Sequence, residues 1–179
     1  MPYDLSITSF TDDLETTINA PTGGAFALAP TPRMSGRQRV ITGAFDVVAA
    51  QCNAGDIIVL ARIPAHCTVQ SIKLCNDTLD TGTNITFDVG VYDELQVVID
   101  LDAFATDSII FQSATAAPGT EMRHEAATLP ERMGDALWEI AGVANDPGGV
   151  MYDIAITIVV VAATPLTGTI GYEIIYTND

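Results

Sequence analysis

Residues 85–92 read ITFDVGVY and residues 152–162 read YDIAITIVVVA. In the first stretch Ile85, Phe87, Val89 and Val91 alternate with Thr86, Asp88, Gly90 and Tyr92. A period of two puts the first set on one face of a strand and the second set on the other. In the second stretch Tyr152, Ile154, Ile156, Ile158 and Val160 share a face in the same way. β-branched and aromatic residues dominate both runs, as a pleated, half-buried surface requires. The sequence between and around them is punctuated by turn residues: NDTLDTGTN at 76–84, NDPGG at 145–149 and TPLTG at 164–168.

Working outward, Arg39 to Val48 reads as a strand with Ile41, Phe45 and Val47 on one face. Asn53 to Gly55 turns the chain, Asp56 to Ile63 (DIIVLARI) forms a buried strand, and Pro64 stops it. Thr68 to Cys75 follows as the next strand, and Leu95 to Ile99 as one more. Ser108 to Gln112 is compatible with a strand or a short helix, Ala114 to Gly119 reads as a loop, and residues 120–133 read as irregular. Asp135 to Gly142 (DALWEIAG) has a helical composition but a strand context. Thr169 to Tyr176 closes the domain with Ile170, Tyr172, Ile174 and Tyr176 on one side. About eight short strands without a long amphipathic helix predict an all-β antiparallel sandwich of jelly-roll type. A parallel α/β fold would need crossover helices.

Residues 1–38 differ from this pattern and read as an extended N-terminal arm ahead of a β-sandwich domain at 39–179. Pro21, Gly23, Gly24, Pro30 and Pro32 interrupt regular structure. Thr11 to Ala20 is compatible with a short helix capped by Thr11. Ala25 to Ala29 (AFALA) is a short apolar run between breakers, and Arg33, Arg37 and Arg39 form a basic cluster. A loose terminus and an arm folded back on its own domain are the alternatives to an arm that reaches a neighbour.

The chain carries 23 acids against seven bases, a net charge of -16. Residues 1–45 hold four acids and three arginines, and the remaining 19 acids and four bases lie in 46–179. Such a body repels a nucleic-acid backbone and an anionic membrane, so neither is expected as a partner. Cys52, Cys67 and Cys75 are an odd number, and Cys67 and Cys75 on one strand would stand roughly 26 Å apart, too far to bond. Small buried thiols are expected. The first residues lack the basic and apolar regions of a signal peptide, which points to synthesis and folding in a cytoplasm.

Catalytic signatures are sparse: there is no Gly-rich phosphate loop, nucleophile elbow or HExxH. His66 adjoins Cys67, but neighbours on a continuous strand face opposite ways. The three cysteines lack zinc-binding spacing. A paired-carboxylate glycosidase would need exposed aromatics, and Trp138 sits in an apolar run that suits a core. No cofactor and no enzymatic activity are expected. Asp77, Asp80, Asp88, Asp93, Glu94, Asp100 and Asp102 supply hard oxygen ligands for a possible calcium ion, although solvated turn acids account for the same pattern. A calcium-dependent glycan- or receptor-binding module is therefore one alternative function.

An acidic body behind a basic, Pro- and Gly-rich arm suits repeated assembly, with the arginines of one copy meeting the acids of another. The stretch GDIIVLARIPAHCTVQSIKLCNDTLDTGTNITFDVGVYD (55–93), with LWEIAG (137–142), DPGG (146–149) and YDIAIT (152–157), resembles small structural proteins of tailed bacteriophages, over roughly residues 38–177. The resemblance implies a virion component, foremost a capsid decoration or cement protein. Such a protein would bind between capsomers on the outside of the shell as a homotrimer, with the major capsid protein as its partner. Its contacts with the shell or a neighbouring copy would fall on Phe26, Leu28, Arg33, Arg37 and Arg39. A head-fibre base or tail component is the alternative within the same class.

Overall fold

The computed structural model describes residues 37–126 and 132–178. Eight strands run β1 (Arg37–Val47), β2 (Ile57–Pro64), β3 (Thr68–Asn76), β4 (Thr86–Tyr92), β5 (Val98–Ser108), β6 (Thr115–Glu121), β7 (Met151–Val160) and β8 (Gly168–Asn178). They form two four-stranded sheets, ordered β1-β8-β3-β6 and β2-β7-β4-β5, and every pairing is antiparallel. Successive strands alternate between the sheets from β1 to β4, as in a jelly roll. The predicted all-β antiparallel sandwich is the fold observed.

The alternating residues that decided the fold build the core. Ile85, Phe87, Val89, Val91, Ile154, Ile156 and Ile158 are buried between the sheets with Ile72, Leu74, Ile170 and Ile174 opposite them. The Phe87 ring stacks on Phe111 at 4.0 Å between centroids. Trp138 is partly buried against the core.

Gly90 and Tyr92, on the opposite face of β4, are buried as well. The reason lies in β5. Its register against β4 is broken by several bulges, with Val91 opposite Asp100 but Val89 opposite Ala105. The extra residues fold over the outer face, and a side chain at Gly90 would collide with the Leu101 carbonyl. Tyr92 also reaches across the sheet to hydrogen-bond Thr157.

Two local expectations differ from the structure, and two readings left open are decided by it. Leu95 lies in a turn, and β5 begins only at Val98. Residues 110–112, compatible with a strand or a short helix, form a 3-10 turn. Residues 115–121, read as loop and irregular chain, form β6: Ala, Pro and Gly lower its strand propensity, and pairing with β3 overrides that. Leu137–Ile140 is a single helical turn, α1, rather than a strand. Glu139 accepts the Ala136 N–H at 2.7 Å and closes that turn, so composition outweighed context there. The short helix at 11–20, the AFALA run and the rest of the N-terminal arm lie outside the described residues.

Candidate interaction surfaces

The connection between β2 and β3 is only Ala65 to Cys67, so the end of one sheet sits beside the start of the other. At this same end β1 begins: Arg37 is paired with Asn178, and Thr177 with Thr68. The other sheet brings Pro64 beside Met151 and Tyr92 beside Asp153 and Val98. One end of the sandwich therefore gathers the start of β1, the β2–β3 turn and the β4–β5 turn.

Of the predicted contact residues, Phe26, Leu28 and Arg33 lie outside the described residues. Arg37 and Arg39 stand exposed on β1, two residues apart and so on one face. β1 is at the edge of its sheet, and Val40 beside the arginines is exposed.

The β4–β5 turn is the surface that strand-pattern reading missed. Asp93 organises it: one carboxylate oxygen accepts the N–H of Leu95 and of Val97, both at 2.8 Å. Its backbone N–H donates to the Val97 carbonyl, and its carbonyl accepts from Gln96. Gln96 takes φ +62°, a left-handed conformation that such a tight turn demands. Arg62 ties the turn to the sheet by donating to the Glu94 carbonyl at 3.2 Å while gripping Asp153 through two bonds of 2.7 and 2.9 Å. The outcome is a fixed tip that holds apolar side chains in water: Leu95 is 83% exposed, Val97 58% and Val98 50%. The only signal in the sequence was the Asp93 turn residue ahead of an apolar run.

The acids proposed as cation ligands have other work. Asp80 is fully buried. One of its oxygens accepts the N–H groups of Gly82 and Thr164, both at 2.8 Å. The other accepts those of Asn84, Ile85 and Ala163 at 2.9–3.1 Å. Burial alone would raise this carboxyl, but the backbone donors outweigh it and hold it well below the usual range. Asp77 accepts the Thr169 N–H. Asp88 accepts the Asp107 N–H, yet burial first and the nearby Asp107 and Asp102 charges next leave it raised. Asp100 is raised by burial and by its carboxyl neighbour Asp102. Among the described residues no three His, Cys, Asp or Glu side chains converge as a metal site.

No strand runs through His66 and Cys67, so the opposite-face argument, which holds only on a continuous strand, does not apply to them. They occupy the β2–β3 turn and both approach the Asn178 side-chain oxygen, at 3.0 and 3.5 Å. That shared amide ties the last strand to the turn; the buried Cys67 faces an acceptor rather than a base. Burial, followed by Asp56 and Asp80, raises the Cys52 thiol, which disfavours its thiolate. All three cysteines are free thiols; Cys52 and Cys67 are buried as expected, whereas Cys75 is only partly buried.

Two open grooves complete the surface. One, of about 430 Å³, runs between the edge strands β1 and β2, past Phe45, Val47, Ile57 and Ile58. The other, of about 490 Å³, crosses the outer face of the β1 sheet over Ala44, Gly171, Cys75 and Ala116. Small residues make it shallow. Among the described residues no helix is long and apolar enough to cross a membrane.

The sandwich has counterparts among solved structures. The fold is similar to that of a chain in the cyanophage Pam1 capsid asymmetric unit. That match has a TM-score of 0.52 and 19% identity, and it covers 90% of this chain and 99% of that one. It is also similar to a chain in the capsid of Ralstonia phage GP4, with a TM-score of 0.51 and 22% identity over 79% of this chain and 85% of that one. At these identities the similarity establishes a shared fold. No family model matches the sequence, and no curated protein matches it.

Proposed function

We propose that this chain is a structural component of a phage virion: a decoration or cement protein that binds the outside of the capsid between capsomers and stabilises the shell. The observation that carries the reading is the fold shared with a phage capsid chain over almost the whole of both molecules. The surface supports it. The carboxylates and the histidine–cysteine turn serve hydrogen bonds that hold loops, while edges, tip and grooves face outward. A net charge of -16 also keeps decorated particles apart.

In this reading the partners are the major capsid protein and further copies of the chain, assembled as a homotrimer on the virion surface within the host cytoplasm. The N-terminal arm docks through Phe26, Leu28, Arg33, Arg37 and Arg39. Many modest contacts add up when each oligomer engages several capsid subunits at once. The test is to add purified protein to empty shells assembled from the coat protein encoded alongside it. Saturable co-sedimentation and a higher shell-disruption temperature are expected. Shells that leave the protein in the supernatant at micromolar concentration would refute the proposal. Light scattering behind size exclusion checks the oligomer, expected at three times the 18.9 kDa of one chain.

A further inference from the structure

The tip between β4 and β5 combines features that seldom coincide on a solitary protein. It exposes Leu95, Val97 and Val98 together, and it is held in one shape by the Asp93 carboxylate and by Arg62. Its stretch, DELQVVIDLD at 93–102, holds four acids and no base. A rigid apolar knob loses little conformational entropy when it docks, which removes one of the costs of burying it. An acidic surround selects a partner that is apolar and basic together.

This chain contains one stretch of that chemistry. Residues 25–40 read AFALAPTPRMSGRQRV, with Phe26, Leu28 and Val40 as apolar groups, Arg33, Arg37 and Arg39 as bases, and no acid at all. Three of the seven bases of the chain are in it. Its described portion, Arg37 to Val40, begins β1 at the same end of the sandwich as the tip. Phe26 precedes Arg37 by eleven residues, a reach of at most about 40 Å, enough to meet a directly adjacent copy.

We infer that the β4–β5 tip is a self-association site that receives the basic, apolar N-terminal stretch of a second copy. The contact is heterologous, tip to arm, and three copies related by a closing rotation would satisfy every tip and every arm. It rests on the self-assembly part of the proposed function and specifies the surface involved. The basic arm offsets the charge that would otherwise keep such acidic bodies apart.

Two variants of the full chain test it: L95S/V97S/V98S at the tip and R33Q/R37Q/R39Q on the arm. The tip side chains are exposed, so thermal unfolding should match the wild type and exclude misfolding. By size exclusion with light scattering the wild type should be oligomeric, and each variant alone should associate at least about tenfold more weakly. An equimolar mixture of the two should regain a dimer, since one intact tip and one intact arm remain per pair. Raising salt from about 0.05 to 0.5 M should weaken the wild-type contact. A tip variant that keeps the wild-type mass sinks this inference but leaves self-assembly standing. A mixture no larger than its components refutes the heterologous pairing. A wild type that is monomeric throughout refutes self-assembly itself, whereas failure to bind shells with the oligomer intact touches only the decoration role.

Discussion

Replacing Asp80 by Asn changes one atom type at the point where two loops meet. In the native protein the carboxylate takes five backbone N–H donors from the β3–β4 and β7–β8 connections, all within 3.1 Å. An asparagine keeps one acceptor oxygen and turns an NH2 group toward the other donors. Two or three buried N–H groups then lose their acceptor, at about 1–3 kcal/mol each before relaxation. Allowing for partial relaxation, D80N should cost about 3–5 kcal/mol, or about 10–15 °C in Tm for a domain of this size. Urea unfolding followed by near-UV circular dichroism reads the difference, and an unchanged m-value would confirm that both proteins unfold from comparable states. The pH dependence adds a second check. The folded pKa of Asp80 is depressed, so its contribution is complete above the unfolded value near 4 and is lost as the pH falls toward the folded value. The gap between wild type and D80N should hold from pH 7 to about 4.5 and narrow below. A cost under about 1 kcal/mol, or a gap that stays constant to pH 2, would refute the role given to this carboxylate.

Other perturbations have defined outcomes. Asp88, Asp100 and Glu125 are raised chiefly by burial; a raised carboxyl withholds stability when ionised and returns it as the pH falls through its folded value, so these groups should lift Tm as the pH falls from neutral toward the unfolded values near 4, and charge-removing D88N or D100N variants that leave the slope of Tm against pH unchanged would contradict this. Gly90→Ala would drive a methyl group into the Leu101 and Asp100 carbonyls and should cost about 3 kcal/mol or more. Gly43→Ala would first meet the Tyr172 ring, a side chain able to swing aside, and should cost about 1–2 kcal/mol; equal losses in thermal melts would undo the distinction. Phe111→Ala removes the stacked partner of Phe87 and should destabilise by about 3–5 kcal/mol in urea.

The fold was legible wherever large apolar residues alternate with small or polar ones. Phe87, Val89 and Val91, like Ile154, Ile156 and Ile158, fill the core as that pattern requires, although Asp88, Tyr92, Ala155 and Thr157 on the other face of the same strands are buried as well. Legibility failed where the backbone stops alternating. The bulges of β5 insert unpaired residues between Asp100 and Ala105, so no period of two survives, and Leu95 to Ile99 passed for a strand on composition alone. β6 was hidden because only Thr115, Thr120 and Glu121 pair with β3 at the sheet edge, while Ala116 to Gly119 fall in the register break between them and carry no strand pattern. Arg37 and Arg39 were identifiable as a basic pair, and the structure places both exposed at the start of β1. The tip was not identifiable, because exposing Leu95 depends on a turn that the Asp93 side chain builds.

The acid-rich loops carry a further consequence. Asp56, Asp77, Asp80, Asp93 and Asp146 each accept a backbone N–H in or across a turn. Turns expose N–H groups that strands have no means to satisfy, and a short carboxylate answers them with a charge-assisted bond. This is the ordering that a bound cation gives to other loop-rich β proteins through their carbonyl and carboxylate oxygens. Here the carboxylates point inward to donors. Asp80 and Asp93, two of the residues proposed to collect a metal, sit at opposite ends of the sandwich, one after β3 and one after β4. Much of the charge that gives the surface its sign is therefore also what shapes it, and neutralising these aspartates to reduce self-repulsion would loosen the loops before it improved association.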